Sequence, residues 1–258
     1  MTATLAERAV LYLSGGPRVP DDIAHEVLGI ARARGVLAER LVAALLGADP
    51  RFAIDVEGRW CAVPEPAFGA LPLADLGYAV VDVETTGMRA RAGDRVTEIA
   101  VVHVDGDRVA PAFESLVNPE VPIPHFIAAL TGIDDAMVEG APRFEEVADQ
   151  VLAALNGRVF VAHNARFDWA FVSAEIERAG GLSPRLQRLC TVRMVRALVP
   201  ELERRNLDSV MHFFGIEAER RHRAGGDALA TAAVLRRLLR RAEALGIGTW
   251  PALRALVP

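Results

Sequence analysis

The spacing of apolar residues divides the chain into two parts. The first part shows three helical periods and then a hairpin of two short strands, with Val56-Glu57-Gly58 as its turn. The predicted helices cover residues 4–14, 20–33 and 37–47. The stretch 64–76 contains three prolines and no periodicity, which is typical of a linker. We therefore predict a small α+β domain over 1–63, followed by a linker.

The larger part alternates between strand and helix patterns. Strands are predicted over 78–84, 95–104, 108–117 and 158–162, the second and third joined by an Asp105-Gly106-Asp107 turn. Helices are predicted over 123–131, 143–156, 165–179, 191–199, 206–214 and 225–243. This order indicates an α/β fold with a mixed sheet flanked by helices, over 77–243. Residues 244–258 form a C-terminal tail without an assigned element.

The order of elements in the small domain, three helices and a hairpin, resembles that of a winged-helix domain. A module for packing or dimerisation has the same layout, so the order of elements leaves both interpretations open.

Composition restricts the class of protein. Of 258 residues, 52% are hydrophobic and 24% are charged, as in folded globular proteins. No apolar run is long enough to span a bilayer, and the N-terminus lacks the layout of a secretory signal, so a cytoplasmic location is expected. Cys61 and Cys190 have neither metal-site nor disulfide spacing.

The charge pattern is more informative than the net charge of −5. All 29 basic residues are arginines, and several of them cluster, as in 185–196 and 236–241. Arginine suits phosphate contacts, although a cluster of this kind is also compatible with a solvated helix face. A net negative charge is compatible with a nucleic-acid enzyme whose site is built from carboxylates, because bound cations then attract the phosphate.

Asp82 and Glu84 are two residues apart on an otherwise apolar strand, so their side chains point to the same face. Adjacent carboxylates repel each other, and a divalent cation is the usual compensation. Alternatively, one is exposed at the strand end and the other caps the turn that follows.

Two later segments place further polar residues at the start of helices. Asp168 lies in the first predicted turn after the strand 158–162, and Asp227 lies in the first turn of the last long helix. His222 precedes Asp227 in a glycine-containing segment. Each residue alone is compatible with helix capping or with a surface position. Together, four carboxylates match two divalent cations, and an imidazole can take a proton from water near neutral pH.

The three segments resemble the motifs of the DEDDh exonuclease family. They read Asp82-Val83-Glu84-Thr85-Thr86-Gly87, His163-Asn164-Ala165-Arg166-Phe167-Asp168, and His222 with Asp227 five residues later. Intervening segments, including Val96-Thr97-Glu98-Ile99-Ala100, are similar to those of proofreading subunits of bacterial DNA polymerases. The resemblance covers about residues 77–242 and implies a ribonuclease H-like fold.

The resemblance also implies roles for individual residues. Asp82, Glu84, Asp168 and Asp227 would hold two Mg²⁺ or Mn²⁺ ions, and His222 would be the general base. The 3′-terminal nucleotide would contact Thr85, Thr86, Gly87, Met88, His163, Asn164 and Phe167. For these pocket residues, local packing is the alternative interpretation, above all for Phe167.

The expected activity is 3′→5′ hydrolysis of single-stranded DNA, in proofreading or DNA repair. Two alternatives stay open: an exoribonuclease that trims RNA ends, and a nucleic-acid-binding adaptor without activity. The expected partners are single-stranded DNA 3′ ends, duplex DNA held by the N-terminal domain, and a DNA polymerase.

Overall fold

The computed structural model describes residues 4–47, 49, 51–62, 71–180, 184, 186–218 and 221–257. The chain divides into two compact units, Met1–Gly69 and Ala70–Pro258. Most of the predicted linker lies outside the described residues. No helix within the described ranges is both long and apolar enough to cross a membrane.

The first unit contains three helices and a two-stranded antiparallel sheet, in the predicted order. The helices are α1 (Leu5–Leu13), α2 (Pro20–Glu26) and α3 (Val36–Leu46), and the strands are β1 (Phe52–Ile54) and β2 (Trp60–Ala62). Helix α2 ends well before residue 33, because the chain turns at Gly29, which has a φ of 73°. Ile23, Val42, Leu46, Phe52 and Trp60 belong to the buried core of this unit.

The second unit contains a five-stranded sheet and eight described helices. The strands are β3 (Gly77–Thr85), β4 (Val96–Asp105), β5 (Arg108–Leu116), β6 (Val159–Ala162) and β7 (Arg188–Cys190). The helices are α4 (His125–Thr131), α5 (Asp135–Val138), α6 (Phe144–Leu155), α7 (Ala165–Arg178), α8 (Thr191–Leu198), α9 (Leu207–Phe214), α10 (Ala224–Ala244) and α11 (Trp250–Leu256).

The strand order is β5-β4-β3-β6-β7, with antiparallel pairing from β5 to β3 and parallel pairing from β3 to β7. The predicted mixed α/β sheet is therefore confirmed. Three elements, α5, β7 and α11, were not predicted. The first two are only four and three residues long, too short to show a period, and α11 lies in the C-terminal tail, for which the sequence predicts no element.

The side chains of strand β3 alternate between the two faces of the sheet. Ala79, Val81 and Val83 belong to a buried cluster that includes residues of α6 and α7. Because side chains alternate along a strand, Asp82 and Glu84 point to the opposite face, where β3 contacts α10. The core on one face thereby fixes the position of the two carboxylates on the other.

Candidate active site

Three carboxylates from two distant motifs meet beside β3. One oxygen each of Asp82, Glu84 and Asp227 lies within 4.8 Å of the others. Asp227 is in the first turn of α10 and is 8% exposed. Strand alternation places the first two residues, and the packing of α10 on β3 brings the third to them.

Asp168 lies next to this group. It is 4% exposed, and the backbone groups of Asp168 and Val83 lower the pKa of its carboxyl against the effect of burial. It lies in the first turn of α7, where the helix dipole favours a negative charge. We call Asp82, Glu84, Asp168 and Asp227 the acidic cluster.

Burial and mutual repulsion hold protons on this cluster. Burial raises the pKa of Asp82 well above its usual value, and the charges of Asp168 and Glu84 raise it further. Burial, followed by the charge of Glu98, raises the pKa of Glu84 to about 7. Burial raises the pKa of Asp168 to about 8. The positive charges near the cluster are therefore too few to keep all of its carboxyl groups ionised.

A guanidinium group already lies against the acidic cluster. Arg221 forms an ion pair with Asp227 and a second one, of 2.7 Å, with Asp208 at the start of α9. The positive charge of Arg221 also lowers the pKa of Asp82 and of Glu84. The cluster therefore accepts a positive charge beside its carboxylates. Divalent metal ions, which prefer oxygen ligands, fit such a site.

A buried ion pair ties the start of α10 to the sheet. Glu98, which faces Glu84 across β3 and β4, is 1% exposed and accepts hydrogen bonds from Arg223 Nε at 3.1 Å and Nη2 at 2.5 Å. Its carboxylate also accepts one from the backbone N–H of Ala224 at 2.8 Å. Glu98 therefore caps α10 and fixes the turn that carries Asp227.

His222 lies between two anchored arginines. Arg221 binds Asp208, and Arg223 binds Glu98, so the backbone on both sides of His222 is held. His222 itself is exposed and has a φ of 59°, a left-handed conformation that is costly for a non-glycine residue. The strain is localised at the residue that the resemblance assigns as general base.

The segment after β3 forms a tightly bonded loop. The Thr85 hydroxyl donates to the carbonyl oxygen of Gly87 at 2.6 Å, and the Thr86 hydroxyl accepts from the N–H of Arg95 at 2.9 Å. A β-carbon on Gly87 would lie 2.4 Å from the Asp94 carboxylate, so a larger residue here would displace Asp94 from its hydrogen bond with the N–H of Arg89. Met88 is 75% exposed, which leaves an apolar side chain at the edge of the loop.

The second motif supplies both buried and exposed groups. His163 Nε2–H donates to the carbonyl oxygen of Arg205 at 2.8 Å, so its Nδ1 accepts from the Thr191 hydroxyl at 2.8 Å, and burial lowers its pKa. Asn164 is exposed and has a φ of 88° at the start of α7. Phe167 packs on the core, with its ring centroid 4.9 Å from that of Phe171. The role of these three residues in a nucleotide pocket remains a prediction.

Sequence reasoning assigned no role to Glu98, Arg221 or Arg223. A signal for Glu98 was present, since a carboxylate in the middle of the apolar strand β4 needs a partner. The partner, however, is 125 residues away, and no local pattern identifies it.

Comparisons with known proteins agree with this geometry. A family model described as Exonuclease matches residues 79–235. The chain is 38% identical over 170 residues to a "DNA polymerase III PolC-type" of Caldanaerobacter subterraneus subsp. tengcongensis, a match that covers 66% of this chain and 12% of the relative. It is 36% identical over 179 residues to the "3'-5' exonuclease DinG" of Bacillus subtilis, covering 69% and 19%.

The fold is also found among solved structures. E. coli exonuclease I in complex with a dT13 oligonucleotide superposes with a TM-score of 0.59 at 20% identity, over 66% of this chain and 42% of that one. The predicted ribonuclease H-like fold is thereby confirmed. The chain spans less than a fifth of the length of the two relatives above. The family model covers more than half of the chain, which therefore belongs to the exonuclease family.

Proposed function

We propose that this chain is a metal-dependent exonuclease that releases nucleoside monophosphates one at a time from the 3′ end of single-stranded DNA. The observation that carries the proposal is the acidic cluster, in which one oxygen each of Asp82, Glu84 and Asp227 lies within 4.8 Å of the others. Buried carboxylates at this separation are stable as anions only with cations beside them, and such cations are the usual catalysts of phosphodiester hydrolysis.

The acidic cluster would hold two divalent ions, Mg²⁺ or Mn²⁺. When bound, such ions lower the pKa of water and stabilise negative charge on the phosphate oxygens. The chain's own contribution is to hold the carboxylates in place. Strand β3 fixes two of them, and the first turns of α7 and α10 fix Asp168 and Asp227. This preorganisation avoids rearrangement during the reaction.

His222 would accept the proton of the attacking water and pass it to solvent. Its exposure allows both steps, and the anchored arginines on either side hold its backbone near the acidic cluster. The loop of Thr85, Thr86, Gly87 and Met88 would hold the terminal nucleotide. His163, Asn164 and Phe167 would line the other side of that pocket.

DNA is the preferred substrate in this proposal because the relatives carry the names of a DNA polymerase and of a 3′-5′ exonuclease. We further propose a role in proofreading or DNA repair, with a DNA polymerase as partner, in the cytoplasm. The N-terminal unit would hold duplex DNA beside the single-stranded end. The alternatives are trimming of RNA ends and an inactive adaptor.

The test is a time course on single-stranded DNA and RNA of the same sequence, labelled at the 5′ end. With Mg²⁺ or Mn²⁺, we expect a ladder that shortens from the 3′ end of DNA faster than of RNA. Chelator and Asp227→Ala should abolish it. A faster ladder on RNA would establish the exoribonuclease alternative. No ladder on either polymer with either metal would contradict the proposed activity.

A further inference from the structure

The arginines of the second unit fall into two groups. Some bind a carboxylate: Arg158 binds Asp105 at 2.6 Å, and both Arg236 and Arg240 bind Asp107 at 2.6 and 2.7 Å. Others have no carboxylate partner among the described residues, and three of these lie in residues 179–200, a segment with four arginines and no Asp or Glu. In a chain of net charge −5, such a segment stands out.

Two arginines meet at the β7 edge of the sheet, and the charge of a third acts on one of them; we call the three the arginine cluster. They are Arg188 on β7, Arg193 on α8 and Arg254 on α11. The guanidinium of Arg254 donates to the carbonyl oxygens of Arg188 at 3.4 Å and of Val257 at 3.2 Å. The cluster therefore joins α11 to β7 and α8, which follow each other directly in the sequence.

Two of these guanidinium groups lie over indole rings. Arg188 is 5.4 Å from the ring centroid of Trp169, and Arg254 is 5.8 Å from that of Trp250. The Trp169 ring in turn packs edge-on against Phe160, at 5.1 Å between centroids. Stacking on fixed rings limits the movement of two long side chains and keeps their N–H donors in place.

The arginine cluster lacks compensation for its charge. Partial burial and the charge of Arg254 lower the pKa of Arg188, and partial burial and the charge of Arg193 lower that of Arg254. Among the described residues, no carboxylate lies within 4.0 Å of any of the three guanidinium groups, in contrast to the arginines bound to Asp107. An anion bound here would relieve this repulsion.

We propose that the arginine cluster binds backbone phosphates of the nucleic-acid strand whose 3′ end lies in the active site. This inference rests on the proposed function and extends it to a second contact along the same strand. Guanidinium groups bind phosphate oxygens through paired N–H donors, and such contacts are independent of base sequence.

The position of the arginine cluster suits this role. Trp169, under Arg188, directly follows Asp168 of the acidic cluster in α7. In the sheet, Arg188 is level with Phe160 and Ala79, so Asp82 lies two strands away and three residues further along β3. That is about 10 Å across and about 10 Å along the sheet, so a strand must extend beyond its terminal nucleotides to reach the cluster.

The experiment compares two double variants with the same change in net charge. Arg188→Gln with Arg254→Gln removes two members of the arginine cluster. Arg236→Gln with Arg240→Gln removes two arginines that already bind Asp107. Affinity is measured by fluorescence anisotropy with DNA whose last 3′ linkages are phosphorothioates, as a long single strand and as a trinucleotide. Hydrolysis of an unmodified trinucleotide is measured in parallel.

We expect the cluster variant to bind the long strand about tenfold more weakly, with a salt dependence that is shallower by about 0.7 per lost phosphate contact. Trinucleotide affinity and hydrolysis should be unchanged, and Arg188→Lys with Arg254→Lys should restore much of the loss. The control variant should resemble the unmodified chain.

Equal losses in both double variants, or equal losses on the long strand and the trinucleotide, would overturn the inference. So would unchanged affinity for the long strand. If the unmodified chain does not hydrolyse the trinucleotide, the proposed function fails, while the binding measurements still decide whether the arginine cluster holds a strand.

Discussion

The acidic cluster and the arginine cluster each bring together side chains of like charge. Elsewhere in the second unit, ion pairs join opposite charges, as in Arg158 with Asp105 and Arg241 with Glu201. In the two clusters, burial and repulsion shift pKa values toward the neutral form, upward for the carboxyls and downward for Arg188 and Arg254. Such an arrangement favours a ligand of opposite charge.

The two clusters differ in how firmly they are held. The carboxylates have short side chains on β3, α7 and α10, and two of them are less than 10% exposed. The arginines have long side chains at the edge of the sheet, and Arg188 and Arg193 are exposed. Rigid, closely spaced oxygens suit small ions of fixed geometry, whereas partly exposed guanidinium groups suit a flexible polymer.

The largest effect is expected from Asp82→Asn, which removes one charge from the acidic cluster and keeps its shape. Loss of a metal ligand should lower kcat by about 10³-fold or more, equivalent to about 4 kcal/mol. In chelator, the free energy of unfolding of this variant should be about 1 kcal/mol higher than that of the unmodified chain, because repulsion with Asp168 and Glu84 is relieved. Kinetics and urea denaturation measure the two effects. A less stable variant would contradict the view that the cluster lacks compensation.

His222→Ala should lower kcat by about 10²- to 10⁴-fold, the range for removal of a general base. Because His222 is not a member of the acidic cluster, Mn²⁺ affinity should change little. Calorimetric titration separates the two effects. A loss of Mn²⁺ affinity equal to that of Asp227→Ala would show that His222 acts on the metal site and not on the proton.

Glu98→Ala should disturb the acidic cluster from outside it. Removal of one partner of a buried ion pair leaves Arg223 unpaired, and the free energy of unfolding should fall by about 3 kcal/mol. Mn²⁺ affinity should fall by about 10- to 100-fold, since α10 loses its cap and Asp227 its fixed position.

Glu98→Gln keeps an acceptor for the Ala224 N–H and should recover part of the Mn²⁺ affinity. If both variants bound Mn²⁺ like the unmodified chain, Glu98 would be structural only, and it would not position Asp227.

A last effect concerns only the metal-free chain, whose stability should depend on pH. The folded chain keeps protons on Glu84 up to about pH 7 and on Asp168 up to about pH 8, whereas the unfolded chain releases them near pH 4. The folded state therefore binds more protons in this window, and its free energy of unfolding falls as pH rises.

The slope should reach about 1.4 kcal/mol per pH unit for each carboxyl that stays protonated. Urea denaturation in chelator from pH 5 to pH 8 measures it, and excess Mn²⁺ should reverse the decline near pH 8. Stability that rises over this range would show that the carboxyls are already ionised and compensated.

The fold was largely predictable because apolar periods of 3.6 and 2 are local. Strand β3 and helices α7 and α10 lie close to their predicted ranges, and each carries part of the acidic cluster. The short strand β7 was missed because three residues show no period.

The remaining features depend on tertiary packing. The Glu98–Arg223 pair and the meeting of Arg188 with Arg254 join residues that are 125 and 66 positions apart, respectively. The sequence shows the arginines of 185–196 as a group. It does not show which arginines bind carboxylates, because those partners are brought together only by the fold.

The most direct measurement is a calorimetric titration of Mn²⁺ into the chelator-treated, unmodified chain at pH 8, with Asp82→Asn as the reference. If the acidic cluster is a binding site for two divalent cations, the unmodified chain should bind two Mn²⁺ ions with release of protons. Asp82→Asn should bind neither ion tightly. No binding to the unmodified chain, or equal binding to both, would contradict that claim.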